Sequence, residues 1–267
     1  GPSACQEVYA AAMAGVGSGW IASGWITSAL AAVFPSCCVG CGAALPWEAS
    51  LALCVECRFR LRRPASPACR GCGRPLPGVA ADVREPLCGS CRQRAPPWES
   101  LVAAYLYAPP LVGVVKALKF GRAEHLGEAL AQPLAALCAP AASRLDVVTP
   151  VPLAWTRLLV RGYNQAEAIA RPLARALDLP CRRLLHRRPR PRQALLSRAE
   201  RRRNLRGAFM PRRRLPAGTR VLLVDDVMTT GATLAAAARA LRRAGAVTVV
   251  AAVVARTPDA SWGEPGR

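Results

Sequence analysis

The sequence predicts an α/β protein: a Rossmann-like open parallel sheet preceded by a cysteine-rich, metal-stapled arm. Three observations carry this. Short Val/Leu/Ala runs without polar interruption alternate with helical stretches, as the buried strands of a parallel sheet do. One such run, VLLV at 221–224, leads into two adjacent acids, a Thr/Gly turn and an Ala-rich helix. Ahead of the sheet, cysteines recur as Cys-x2-Cys pairs.

The totals set bounds. A chain of 267 residues has room for a sizeable core. It is 52% apolar but only 5% aromatic, so small aliphatic side chains must build that core. The formal charge of +21 suggests a polyanionic partner or substrate. Clustered cysteine pairs suit metal binding in a reducing compartment, so a cytoplasmic location is expected, with contact at the inner membrane face left open. No basic region precedes the first apolar stretch, as it would in a signal peptide. The opening Gly1-Pro2-Ser3 resembles a protease-cleavage scar.

Residues 8–35 carry no charge. Their glycines, with Ser18, Ser23, Thr27 and Ser28, offset the apolar residues on an insertion scale, so no stable membrane span is expected. The pairs Trp20-Ile21, Trp25-Ile26, Ala29-Leu30 and Val33-Phe34 fall at helical spacing. They predict an apolar-faced helix within 4–35 that packs on the body or a partner, an interfacial membrane helix being the other reading.

Residues 36–97 hold four pairs: Cys38 and Cys41, Cys54 and Cys57, Cys69 and Cys72, Cys88 and Cys91. Two such turns complete one tetrahedral site, and the internal repeat of about 31 residues predicts two tandem zinc ribbons. Sequential pairing is the default, and interleaved pairing stays open. Four cysteines leave no open coordination position, so both Zn²⁺ ions are expected to be structural. Few large apolar residues lie in the arm, so each metal must stand in for a core, at on the order of 10 kcal/mol per site. Cys5, Cys37, Cys138 and Cys181 read as bystanders.

A proline hinge is expected at 95–97. The body then reads as a strand at 100–107, a helix at 111–120 carrying Lys116 and Lys119, and a helix at about 123–138. A strand at 146–152 ends in Pro-Val-Pro, and the segment 161–165 opens a helix to about 177. A second strand is expected at 181–185. Between 182 and 214 stand fourteen arginines against one acid, Glu200. Such a block is a solvated face or a nucleic-acid contact, with Arg187, Arg188, Arg201, Arg202 and Arg203 the candidate contacts for single-stranded DNA.

The strand at 221–224 ends on Asp225 and Asp226. The backbone of Val227, Met228, Thr229, Thr230, Gly231, Ala232 and Thr233 then forms an anion pocket. Its N–H groups and the dipole of the helix at 234–243 favour a phosphate, and the threonine hydroxyls add donors. Two carboxylates beside an anion need neutral donors or a cation before them, which sugar hydroxyls and Mg²⁺ supply. A strand at 246–254 closes the sheet.

These residues resemble the phosphoribosyl diphosphate (PRPP) motif of type I phosphoribosyltransferases. Taken with the cysteine pairs, KALKFG at 116–121, TPVPL at 149–153, RGYNQA at 161–166 and NLRGAF at 204–209, the chain resembles the ComF (GntX-like) family over roughly 34–256. The resemblance implies a double zinc ribbon at 36–97 and a type I phosphoribosyltransferase-like domain at 98–267. Asp225 and Asp226 would be its catalytic acids, and Val151, Pro152, Leu153 and Ala154 its diphosphate loop, with Arg157 as added charge. The arginine segment at 182–214 gains a third reading, a loop closing over diphosphate. The resemblance also implies Mg²⁺ with PRPP or a related sugar phosphate or nucleotide, and a role in DNA uptake during natural competence. A helicase partner is the further expectation for a non-catalytic sensing module. One departure stands out: where purine-salvage enzymes carry a base within the phosphate loop, this chain has Thr229.

Overall fold

A computed structural model describes residues 36–45, 51–80, 83, 86–121, 123–188, 207–259 and 262. The expected helix within 4–35, and Arg201, Arg202 and Arg203, lie outside them.

The arm holds two short strands, β1 (Ser36–Cys37) and β2 (Ala44–Leu45), and two single-turn helices, α1 (Val55–Phe59) and α2 (Gly89–Gln93). The body follows with β3 (Ser100–Leu106), α3 (Leu111–Phe120), α4 (Leu126–Ala142), β4 (Val147–Pro150), α5 (Trp155–Arg161) and α6 (Gln165–Ala176). Then come β5 (Leu185–Arg187), β6 (Phe209–Pro211), β7 (Arg220–Met228), α7 (Ala232–Ala244) and β8 (Thr248–Arg256). Four strands form one sheet in the order β3-β8-β7-β4, every neighbouring pair parallel.

Burial on both faces explains the unbroken apolar runs. Leu222 and Val224 of β7, with Val250, Ala252 and Val254 of β8, face a core shared with α3, α4 and α6. Val221, Leu223, Val249, Ala251 and Val253 face the other core, with Leu234 and Leu241 of α7. The period of two is that of a strand, and the two sets take opposite faces. Helix α7 joins two adjacent parallel strands and ends as its sequence dictates, at Gly245 with φ +112. Asn164 caps α6 by accepting from Ala166 N.

Three expectations are corrected. The helix expected from Arg161 starts at Gln165, because Gly162 (φ +80) ends an unforeseen helix, α5, ahead of it. The strand expected at 181–185 is reduced to one parallel bridge, Val148 to Cys181, after which the chain leaves the sheet. It leaves to pair β5 with β6, antiparallel. The arm, moreover, is not wholly without a core: Leu45, Leu51 and Leu53 join the core of α3, and Gly113 lets that helix touch the arm's backbone. A Cβ at Gly113 would stand 2.2 Å from the Val39 carbonyl oxygen. Among the described residues the second ribbon's own cluster is Cys69, Cys88 and Cys91, with Cys72, Leu76 and Leu87 packed against them.

Leu173 of α6 is fully buried against the sheet. Leu173→Ala is expected to cost about 2–5 kcal/mol, read from the urea midpoint at unchanged slope. An unmoved midpoint would show that α6 contributes no packing.

Candidate functional site

The cysteines assemble as the default pairing expects. The four sulfurs of Cys38, Cys41, Cys54 and Cys57 lie within 4.8 Å of one another, as do those of Cys69, Cys72, Cys88 and Cys91. All-sulfur sets in tight Cys-x2-Cys turns fit structural Zn²⁺. Backbone amides already favour thiolate at one sulfur per set. Burial opposes ionisation of Cys38, yet N–H donors of Cys54, Cys41 and Gly40 bring it down to about 6. Cys69 falls to about 7 against its own burial, through Cys88, Cys72 and Gly71. Burial and the neighbouring sulfurs push Cys57 up to about 12, since four thiols this close cannot all ionise without a cation among them. Cys138 is an inert core thiol, whereas Cys37 is disulfide-bonded rather than an idle neighbour.

The acid pair stands where β7 reaches its carboxyl end. Asp226 Oδ2 lies 2.9 Å from Lys119 Nζ, which α3 delivers from its last turn. Burial, then the charge of Asp226, hold the Asp225 carboxyl well above the usual carboxylate range, and Lys119 offsets this in part. Each carboxylate also accepts from the next backbone amide, Asp226 N at 3.0 Å and Val227 N at 2.7 Å. Guanidinium groups complete the surround. Arg161 lies over the Phe120 ring at 4.9 Å within electrostatic reach of Asp226, and Arg187 is within reach of Asp225. Tyr163 fixes the segment by donating its hydroxyl to the Leu118 carbonyl.

The Thr/Gly turn after β7 is short. Val227 and Met228 still belong to β7, and the turn proper is Thr229 to Gly231. Gly231, at φ +74, precedes α7, whose first turn leaves N–H groups unpaired within the helix. A Cβ on Gly231 would also meet Met228 Cε at 2.7 Å. Thr229 and Thr230 are exposed.

In the segment 151–154, the Val151 amide donates to Val224 O (2.8 Å) and Pro152 has none, so Leu153 and Ala154 are its remaining backbone donors. A cleft of ≈ 500 Å³ opens beside this loop, lined by Pro150, Pro152, Leu153, Tyr163 and Asn164. Glu124 and Glu167 also line it, whereas Asp225, Asp226 and the turn at 229–231 do not. Of the arginine segment, Arg183 is spent on Glu167 (2.8 Å), Arg187 packs over Phe209 and Arg188 is exposed. Helix α5 buries none of its residues and exposes Trp155, Leu158, Leu159 and Val160. Among the described residues no helix is long and apolar enough to cross a membrane.

Sequence reasoning missed Lys119 as the partner of Asp226. Its signal was a lysine in the last turn of an apolar helix. It also missed Arg256, a lone charge ending an otherwise apolar strand.

Comparison with known proteins agrees with this architecture. Residues 164–264 match the phosphoribosyl transferase domain family and residues 29–92 the double zinc ribbon domain family. "DNA utilization protein YhgH" of Escherichia coli O6:H1 is 37% identical over 224 residues, 77% of this chain and 97% of that protein. "Competence protein F" of Haemophilus influenzae is 32% identical, covering 72% and 91%. "Competence protein ComFC" of Bacillus subtilis is 30% identical, covering 72% and 79%. The glutamine PRPP amidotransferase from B. subtilis aligns in structure at 26% identity over 54% of this chain and 28% of that enzyme; a TM-score of 0.33 is too loose to argue from. The sheet is thus of phosphoribosyltransferase type behind a double zinc ribbon.

Two outcomes are expected. Because Asp225 binds a proton more readily folded than unfolded, its contribution is full below the ordinary carboxylate range and is lost as pH rises. Urea midpoints should therefore fall as pH rises above the ordinary carboxylate range, and Asp225→Asn should flatten that fall. A variant as pH-sensitive as the parent would contradict the buried charge. Separately, Cys54→Ser and Cys88→Ser should each lower the metal content by one zinc per chain, read by dye titration after thiol release. Loss of both ions from either variant would contradict two independent sites.

Proposed function

The chain belongs to the ComF family of competence and DNA utilization proteins, and from that premise we propose that it is a PRPP-binding member with structural zinc that supports DNA uptake in natural transformation. One observation carries the reading: an acid pair at a strand's carboxyl end, followed at once by a Thr/Gly turn and a helix start. The turn at 229–233 takes the 5′-phosphate through its amides. Asp225 and Asp226 take the ribose hydroxyls, Asp226 sharing its charge between those donors and Lys119. The Leu153 and Ala154 amides, with Arg157, face the diphosphate.

Asp226 is paired with Lys119, so Mg²⁺ would enter with the diphosphate rather than at a site these two acids build alone, and would supply charge to the leaving group. The chain's own cations add to that charge. In turnover the C1–O bond breaks and both electrons leave with diphosphate, whose charge Arg157, Arg161 and Arg187 stabilise. An acceptor lone pair then forms the new bond to C1, and a proton carried by the acceptor atom leaves to solvent or to the departing diphosphate.

A second reading, a non-catalytic module that senses PRPP or a nucleotide while binding single-stranded DNA or a helicase, draws support from Thr229. An exposed hydroxyl there cannot serve as base toward a nucleobase.

Calorimetric titration with Mg-PRPP should give saturable heat, and the Asp225→Asn, Asp226→Asn double variant should weaken binding at least about 100-fold while leaving single-stranded DNA affinity unchanged. Absence of heat with the parent protein would overturn the proposal. Binding without diphosphate release across a broad acceptor panel would favour the sensing module over the enzyme.

A further inference from the structure

The two ribbons touch different halves of the site. The first presses the Val39 backbone against Gly113 and so supports α3, the helix that carries Lys119. The second reaches the phosphate turn through two side chains. Gly71 and Cys72 lie in the turn between the paired ligands Cys69 and Cys72, and their carbonyls accept from Trp98 Nε1 (2.8 Å) and Arg256 Nε (2.9 Å). The same two side chains hold the other end. Arg256 Nη1 donates to the carbonyls of Met228 (3.3 Å) and Thr229 (2.6 Å), and also to that of Thr257. The Trp98 ring edge backs Gly231, where a Cβ would lie 3.4 Å from Cη2.

Both bridging side chains are enclosed, Arg256 at 7% exposure and Trp98 at 6%. A buried guanidinium or indole N–H that loses its acceptor carries a desolvation penalty, so neither group can ignore where the Gly71 and Cys72 carbonyls point. The turn around them is partly held by its own bonds: Gly73 N to Cys69 O (2.8 Å), Cys69 N to Arg74 O (2.7 Å), Arg70 N to Pro86 O (2.9 Å), Leu101 N to Arg70 O (2.7 Å) and Cys88 N to Cys69 Sγ (3.3 Å), with a small cluster around Leu76 and Leu87. None of these bonds uses the backbone of Gly71 or Cys72, so a metal on the Cys72 sulfur would supply the constraint nearest the two carbonyls.

We propose that metal in the second four-cysteine site sets the shape of the phosphate turn, with Trp98 and Arg256 as the positioning residues between them. Loss of that metal loosens the turn, whereas loss of the first metal loosens α3 instead. Only the last step, weaker hold on a sugar phosphate, rests on the reading of 229–233 given above.

The test is hydrogen exchange by mass spectrometry on the full zinc-loaded chain, which needs no ligand. Arg256→Lys keeps the charge but cannot reach both ends, and Trp98→Phe keeps the ring but removes the donor. Both variants should retain both zinc ions yet exchange at least about tenfold faster across 225–238, which includes the paired end of β7 and the Ala235 N to Gly231 O bond. Cys88→Ser should lose one zinc and show the same acceleration. Adding a chelator to the Arg256→Lys, Trp98→Phe double variant should produce no further change there. Cys54→Ser should lose one zinc and accelerate 111–120 while leaving 225–238 as in the parent. Parental exchange across 225–238 in Arg256→Lys and Trp98→Phe would overturn the proposal, as would equal acceleration there in Cys54→Ser. If Cys88→Ser does not fold, the bridge variants and their double, with and without chelator, still decide. Titration with Mg-PRPP is separate. A parent that binds none removes the sugar-phosphate reading and leaves the coupling between metal and turn to be decided by exchange alone.

Discussion

A carboxyl at the end of a strand enclosed by two cores ionises only with cations nearby, and the site is arranged around that constraint. Asp225 and Asp226 are adjacent, so each raises the cost of charging the other. The answer comes from far along the chain. Helix α3 brings Lys119 to Asp226, and Arg161 and Arg187 act at longer range from either side. A ligand that donates hydroxyls to Asp226 must share or displace the Lys119 ammonium, so occupancy and the charge state of the pair are linked.

Much of this was legible in the sequence where periodicity or spacing alone decides. The run at 221–224, buried on both faces, could only be an inner strand, and the helix at 111–120 falls on its expected residues. Eight cysteines in four pairs form the two expected clusters, because the spacing itself dictates the geometry. What was not legible depends on tertiary context. Nothing local marks β5 and β6, three residues each, since their pairing spans the arginine segment. Residues 155–161 carry apolar side chains that the fold leaves exposed, so burial pattern is no guide to α5. Long-range partners such as Lys119 with Asp226, or Arg256 with the Cys72 carbonyl, are contacts between distant positions that one sequence does not encode visibly.

The ribbons also show two ways to hold a small domain. The first lends Leu45, Leu51 and Leu53 to the body's core and gains a hydrophobic anchor besides its metal. The second has little apolar area and leans on its sulfurs and on polar bonds to Trp98 and Arg256. Proline residues at 96–97 join arm to body, but Trp98 just beyond is buried and bonded back to Gly71, so the joint is not a free swivel.

That seam has a consequence for how such chains can diversify. Cut between 97 and 98, the body would bare the face of α3 that the leucines cover and leave the Arg256 Nε without the Cys72 carbonyl that now accepts from it. Recombination could therefore not trade one half for a foreign module without rewriting both sides together, and the two halves should be inherited as a single piece.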